Sequence, residues 1–433
     1  MKVIVKNLMA ATLLAGSLSP LAHAGDVTVI YAGELLTVPG TAPLVSQTLV
    51  IEDGRITGVR DGYIATAEFG EGAKVIDLKS SFVMPGMMDM HVHLGHELGG
   101  NTEKDMVKLE RTERVIRSGL YAQRILKAGF TTVRDLGGEP KVTFALRNSI
   151  AKGWIDGPRI IAAGSSIAAT GGHGDVDGLN TDLLKQHTPD TICDGVEDCR
   201  RAVRHAVKYG ADVIKITATG GVLSETNTGT GQQMTDGEMK EIMDTAHNLG
   251  RKIAAHAHAA KGINAALRAG VDSIEHGSYA DKESIRLFKK TGAYLVPTLL
   301  AGDTVVSLAK NTNILPPVIA KKAIRVGGDM MAHFSVAYKK GVKIAFGTDS
   351  GVSKHGINAE EAVLMHQAGM SEMDILKSAT VNAADLADMG DSLGTLEAGK
   401  LADIIAMDAS PLKDIKELLS VDFVMMGGKV YKQ

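Results

Sequence analysis

Apolar residues along this chain recur with two different spacings, and the change of spacing divides the sequence. Near both ends they fall in short runs of β type. "VTVIYAGELLT", "QTLVIEDGRITGVR" and "AKVIDLKSSFVM" lie within residues 26–84, and "ADIIAMDAS" and "VDFVMMGGKVYKQ" lie beyond residue 400. Asp53-Gly54 and Gly427-Gly428 separate apolar runs, as the turn of a tight hairpin does. Strands at both ends, around a middle of another pattern, predict a small β-sandwich built from residues 25–84 and 397–433.

The middle alternates between strand-like runs and helical segments. The runs are "FTTVRDLGG" (130–138), "PRIIAAG" (158–164), "ADVIKITATGG" (211–221), "KIAAHAH" (252–258), "VDSIEHG" (271–277), "AYLVPT" (293–298) and "KIAFGTDS" (343–350). The run that carries His91 makes eight. Between them, "DGVEDCRRAVRHAVKYG" sets Val196, Ala202, Val203, Ala206 and Val207 along one side and stops at Gly210. "TDGEMKEIMDTAHNLG" opens with a Thr N-cap and a Glu three residues on. "AKGINAALRAG" and "SEMDILKSATVNAADLADMG" are also helical in pattern. Eight β-α units over about 300 residues predict an α/β fold, a (β/α)8 TIM-type barrel over residues 85–396. An open doubly wound sheet would place G-x-G-x-x-G after its first strand, where His91 and His93 stand instead.

A length of 433 residues suits one large domain and a smaller one. A net charge of −3 gives no basic field for nucleic acid, and 4% aromatic residues gives few platforms for stacking bases. Lys2 and Lys6, a short apolar run and Ala22-His23-Ala24 form the pattern of a secretory signal over residues 1–24, so a secreted or periplasmic chain starting near Gly25 is expected. No other segment approaches a membrane span. An oxidising compartment would permit a disulfide between Cys193 and Cys199, and two unpaired thiols remain the alternative.

Barrel active sites sit at the C-terminal ends of the strands, and here those ends are unusually polar. The first carries His91 and His93 on one face, two residues apart. The fourth carries Lys215 between Ile214 and Ile216, the fifth ends in His256-Ala257-His258, the sixth in Glu275-His276-Gly277 and the eighth in Thr348-Asp349-Ser350. Each has an ordinary reading when taken alone: a loop histidine pair, a solvated lysine, a core histidine, a helix N-cap. Together they fit a divalent cation, which satisfies several buried polar groups at once. An ammonium cannot ligate a cation, but a lysine carboxylated by CO₂ can bridge two, and a buried lysine held neutral is the form that reacts.

These residues resemble the amidohydrolase superfamily, through P-G-x-x-D-x-H-x-H at 85–93, the strand-four lysine, the histidines ending strands five and six and the aspartate ending strand eight. "TTVRDLGG", "GADVIKITATGGV", "HAHAAKGINAALRAGVDSIEHG", "GTDSG" and "GKLADIIAMDASPL" are similar to its imidazolonepropionase-like and prolidase-like branch. The resemblance implies two divalent metal ions, zinc first and manganese or cobalt as alternatives. It assigns His91, His93 and Asp349 to one ion, His256 and His276 to the other, and a carboxylated Lys215 to both, with His258 ranked below His256 as a ligand. It implies hydrolysis of a dipeptide or N-acyl amino acid by hydroxide generated between the metals, Asp349 serving as general acid and base, in a chain that assembles as a homo-oligomer.

Substrate contacts are less legible. His173, in the glycine-rich "AATGGHGDVDG", is a candidate for the substrate carbonyl or carboxylate, or a loop-stabilising residue. Lys354 and His355 are candidates for a substrate carboxylate. Arg134 is a further candidate that can equally pair with Asp135 or another structural carboxylate. His187, His205, His247, His333 and His366 have polar neighbours and are read as solvated. Cyclic-amide hydrolysis, deamination and lactone or phosphoester hydrolysis use similar scaffolds. Lys215 counts against a mononuclear deaminase, and the full donor set counts against a non-catalytic binding homologue.

Overall fold

The computed structural model describes residues 27–70, 72–99, 102–224 and 230–433. The secretory-signal residues, 1–24, lie outside them. The first strands are β1 (Val27–Leu35), β2 (Leu44–Glu52), β3 (Arg55–Asp61) and β4 (Lys74–Pro85). The barrel strands are β5 (Met87–Val92), β6 (Phe130–Asp135), β7 (Arg159–Ala162), β8 (Ile214–Thr217), β9 (Ile253–Ala257), β10 (Ser273–His276) and β11 (Tyr294–Val296). The chain closes with β12 (Ile404–Met407), β13 (Phe423–Met426) and β14 (Lys429–Lys432).

Strands from both ends share one seven-stranded sheet in the order β14-β13-β12-β4-β1-β2-β3. It wraps a core to which Ile30, Leu49 and Ile56 contribute from one end and Ile404, Phe423 and Met425 from the other. The two hairpin turns meet across this core. A Cβ on Gly428 would lie 2.7 Å from the Gly54 Cα, and Ala402 bridges the turns, donating its N–H to the Gly54 carbonyl at 2.9 Å and accepting from Gly428 at 3.2 Å.

The barrel strands run parallel in two registered groups, β5-β6-β7 and β8-β9-β10-β11. Segments of extended backbone close the ring. Ile167 bridges to Ile216 between the groups, and Ile344 and Ser350 bridge to Leu295 and Val92 on the far side. The eighth strand expected at 343–350 is thus present in position, but it is held by bridges rather than a regular ladder. The helices cover the outside. Val196–Tyr209 stops at Gly210, which adopts φ +114°, although Val196 itself is left exposed. Asp236–Asn248 has the expected Thr235–Glu238 capping box. The last helical pattern breaks into Glu372–Ser378 and Val381–Leu386. The break frees the carbonyls of Ser378 and Ala379 to accept from Phe346 (3.0 Å) and Met88 (2.7 Å) of the barrel wall.

Candidate metal centre

Alternation along the strands aims the donors. In β8, Ile214 and Ile216 pack outward into the main core while Lys215 and Thr217 face the barrel mouth. In β5, His91 is fully buried, and His93, two residues on, brings its ring to 5.2 Å from it. Two donors depart from strand geometry. His276 has φ +70° and Asp349 φ +58°, and Thr298 beside them has φ +51°. Left-handed backbone at non-glycine residues costs about 1–3 kcal/mol each and gathers at functional sites.

The result is two sets of three within ligating distance of one another, His91, His93 and Asp349 in one and His256, His258 and His276 in the other. Asp349 Oδ1 lies 3.1 Å from His93 Nε2 and 3.6 Å from His91 Nε2, and Lys215 Nζ lies 3.4 Å from His91 Nε2. In the second set the rings of His256 and His276 are 4.5 Å apart, and those of His258 and His276 are 4.9 Å apart. His258 therefore stands with His256 and His276, nearer the donor centre than its lower ranking from sequence suggests.

Hydrogen bonds behind the rings fix their tautomers. His93 Nδ1 donates to the Gly137 carbonyl at 2.7 Å. His276 Nδ1 donates to Thr298 Oγ1 at 2.7 Å, because that hydroxyl gives its own proton to the Pro297 carbonyl. His91 Nδ1 lies 2.9 Å from Glu275 Oε2, an ion-pair contact without hydrogen-bond geometry. In the tautomers of His93 and His276 that donate from Nδ1, Nε2 is a lone pair aimed inward. Asp349 Oδ1 is buried and has no hydrogen-bond donor, although imidazole lone pairs face it. Acceptors crowded together without a proton between them are the environment a cation satisfies, and imidazole with carboxylate suits zinc, manganese or cobalt.

The electrostatics divide the histidines: burial lowers His93, but its hydrogen bond to Asp349 and that carboxylate's charge raise it overall. Burial, followed by neighbouring imidazoles and Lys215, holds His256 and His276 well below the ordinary histidine range, in the neutral ligating form. Burial pushes the Lys215 ammonium down to about 8 against the opposing pull of Glu275 and Asp349. For Asp349 burial works upward, but His91, His93 and Lys215 outweigh it and hold the carboxyl near 2.

The remaining candidates separate. His173 reaches the cavity, its Nδ1 2.5 Å from Ser224 Oγ and its ring 4.3 Å from His256. A Cβ on Gly221 would overlap that ring, so the glycine makes room for it. Arg134 does not contact the cavity. It is 1% exposed, donates to the Met90 carbonyl at 2.7 Å and pairs with Glu275 at 3.0 Å, so a substrate-binding role is corrected to an internal one. His355 is also turned away, buried against Tyr121 with its Nε2 at the His96 carbonyl, and Lys354 points to solvent. Neither is placed to hold a substrate carboxylate. Two residues at the site are given no role by the sequence. His96 lines the cavity, and its one signal is its place three residues beyond His93. Glu275 gave no signal beyond lying next to His276. Cys193 and Cys199 are joined as a disulfide.

A barrel whose C-terminal mouth gathers these donors defines a class, the metal-dependent hydrolases. The chain belongs to the amidohydrolase family, which it matches over residues 82–431. It is 32% identical over 434 aligned residues to ochratoxinase of Aspergillus niger, a match covering 94% of this chain and 87% of that protein. Among solved structures it resembles a Xaa-Pro dipeptidase with methionine bound in the active site, with a TM-score of 0.89 and 40% identity over 94% of this chain and 100% of that one. It also resembles a prolidase complexed with N-methylphosphonate-L-proline, with a TM-score of 0.85 and 30% identity over 94% and 100% of the two chains. The family depends on divalent metal ions, and this chain is a metal-dependent hydrolase of amide or peptide C–N bonds.

Proposed function

We propose that the chain is a binuclear hydrolase that releases an amino acid from a dipeptide or an N-acyl amino acid, with zinc as the first metal and Lys215 carboxylated as the bridge. One observation carries the reading: Lys215 is buried at the barrel mouth, its Nζ 3.4 Å from His91 Nε2, in a cavity also lined by both donor sets. A cationic lysine there would repel the metals. Its lowered pKa makes the neutral amine accessible near neutral pH. The ammonium first gives up one proton; the neutral Nζ lone pair then attacks CO₂, the N–C bond forms as a C–O π pair moves onto oxygen, and a second proton leaves to water, so that a cation becomes an anion with two oxygens able to ligate.

His91, His93 and Asp349 would hold one ion, and His256 and His276 the other, with His258 in reach. Two divalent ions, when bound, acidify a water and polarise the scissile carbonyl. Asp349, ionised at neutral pH, accepts the proton of the attacking water and returns it to the leaving amine. His173, which lines the same cavity, would bond the substrate carbonyl or carboxylate. The methionine in the dipeptidase relative and the prolyl ligand in the prolidase relative support an amino-acid-containing substrate.

We propose export as well, with cleavage after Ala24. The residue pattern of the first 24 positions and the Cys193–Cys199 disulfide support it. Metal analysis of the purified protein should return close to two ions per chain, and a screen of dipeptides and N-acyl amino acids should detect released amino acid. A metal-replete protein that frees none from any member of the screen would refute the proposal.

A further inference from the structure

The cavity over the donor sets encloses about 250 Å³ and has two unlike sides. Its floor is the imidazoles, Lys215 and Asp349. Val222, Leu223, Ala301, Val305, Met330 and Val352 form an apolar wall. Ala301, Val305 and Met330 come from two helices, Leu299–Asn311 and Pro317–Lys339, which cross at a pair of glycines, whereas Val222, Leu223 and Val352 come from loops. A Cβ on Gly327 would lie 2.6 Å from the Gly302 carbonyl oxygen, so the close approach needs a bare backbone. Val305 belongs to a small core with Leu315, Ile319 and Ala323, and Val222, Leu223 and Val352 pack against it.

This wall carries no charge among the described residues. Among the described residues lining the cavity, the charged groups other than imidazoles are Lys215 and Asp349, both at the floor. Lys322, on the second of the two helices, donates instead to the carbonyls of Gly221 (3.3 Å) and Ser224. A charged substrate side chain resting on the wall would lose water and gain no partner. An apolar one would bury its surface at no such cost. The volume falls below the ~300–1,000 Å³ usual for ligand sites, which favours one amino acid with a short acyl group over a longer peptide.

We infer that the wall is the specificity surface and that the substrate's amino-acid side chain is apolar and uncharged. This rests on the amide-hydrolase reading and narrows it. The test uses the full-length, metal-loaded enzyme on N-acetyl and glycyl derivatives of leucine, methionine and phenylalanine, set against those of lysine and aspartate. The apolar set should be favoured in kcat/KM by about 10–100-fold. Leu223→Arg should remove most of that advantage and improve the aspartate compounds relative to the rest. Val305→Ala, a milder change, should lower rates with the apolar set alone, and metal content measured in parallel reports an intact site. Equal rates for both sets, or a preference for the charged one, would overturn the inference and leave amide hydrolysis standing. Release of amino acid from none of them would overturn both.

Discussion

Glu275 Oε2 lies 2.9 Å from His91 Nδ1 in the closed interior of the barrel. A carboxylate behind a ligating imidazole fixes the ring and strengthens its donor nitrogen. Ser273 donates to the other Glu275 oxygen at 2.6 Å and Arg134 pairs with it at 3.0 Å, so the carboxylate is itself held in place. Glu275→Gln should therefore weaken metal binding about 10–100-fold. Competition against a chelator of known affinity measures this directly, and unchanged affinity would show that the contact is incidental.

The same pair predicts a stability effect independent of catalysis. Arg134 is 1% exposed and Glu275 is 0% exposed, so neither charge can turn to water for compensation. Arg134→Met leaves the Glu275 charge unpaired and should cost about 3–5 kcal/mol. Denaturant unfolding of the two proteins at equal metal saturation reads the difference. A loss below about 1 kcal/mol would place the pair in a wetter environment than this packing describes.

Lys215 gives a pH dependence whose direction can be worked out. Its pKa is lowered from 10.5 to about 8 by burial. In metal-free protein between those values, the unfolded chain keeps a proton that the folded chain has released, so stability rises with pH across the window. Carboxylation needs the same neutral amine, so at a fixed concentration of dissolved CO₂ reconstitution with metal should also quicken as pH rises, levelling off above about 8. Urea midpoints at pH about 7.5 and about 9.5, compared with Lys215→Met, isolate the effect. A midpoint shift identical in the variant would assign it to other groups.

The sequence-to-structure correspondence is strongest where a strand alternates regularly. Lys215 and Thr217 face the cavity while Ile214 and Ile216 pack outside, as period two requires. It weakens where the backbone leaves that geometry. Glu275 and His276 are neighbours and should point to opposite faces, yet both reach the interior, because the φ of +70° at His276 redirects its side chain. Nothing in "IEHG" announces that turn. Arg134 left two readings open, substrate contact or a structural carboxylate, and the second holds with a partner 141 positions away that no local signal marks. The hairpin turns at Gly54 and Gly428 were legible individually, but their meeting across the terminal sheet was not, since tertiary contact leaves no local signal.

The disulfide should matter to the outer loop rather than to the metals. It ties the segment before the helix Val196–Tyr209 to Cys199 in that helix's first turn, with a sequence separation of 6. Loop-closure entropy for so few residues gives about 2 kcal/mol. The double variant Cys193→Ser, Cys199→Ser should lose about that much in denaturant unfolding while retaining its metal content. Metal loss in the variant would reveal a coupling between this loop and the barrel mouth.

Asp349 provides the most direct test of the proposed proton transfer, and its backbone decides which substitution to use. At φ +58° a Cβ is strained, and asparagine is among the side chains that tolerate this region best. Asp349→Asn therefore preserves the local fold better than alanine while removing the carboxylate that would carry the proton. The amide has no comparable basicity, so kcat should fall about 10²–10⁴-fold if proton transfer is its contribution. Metal content and thermal unfolding should be measured in the same preparation, because the side chain also stands 3.1 Å from His93 Nε2 in the donor set. A fall in kcat with metals retained assigns Asp349 to proton transfer, whereas loss of an ion assigns the deficit to ligation. Full turnover with both ions bound would mean that the proton travels by another residue.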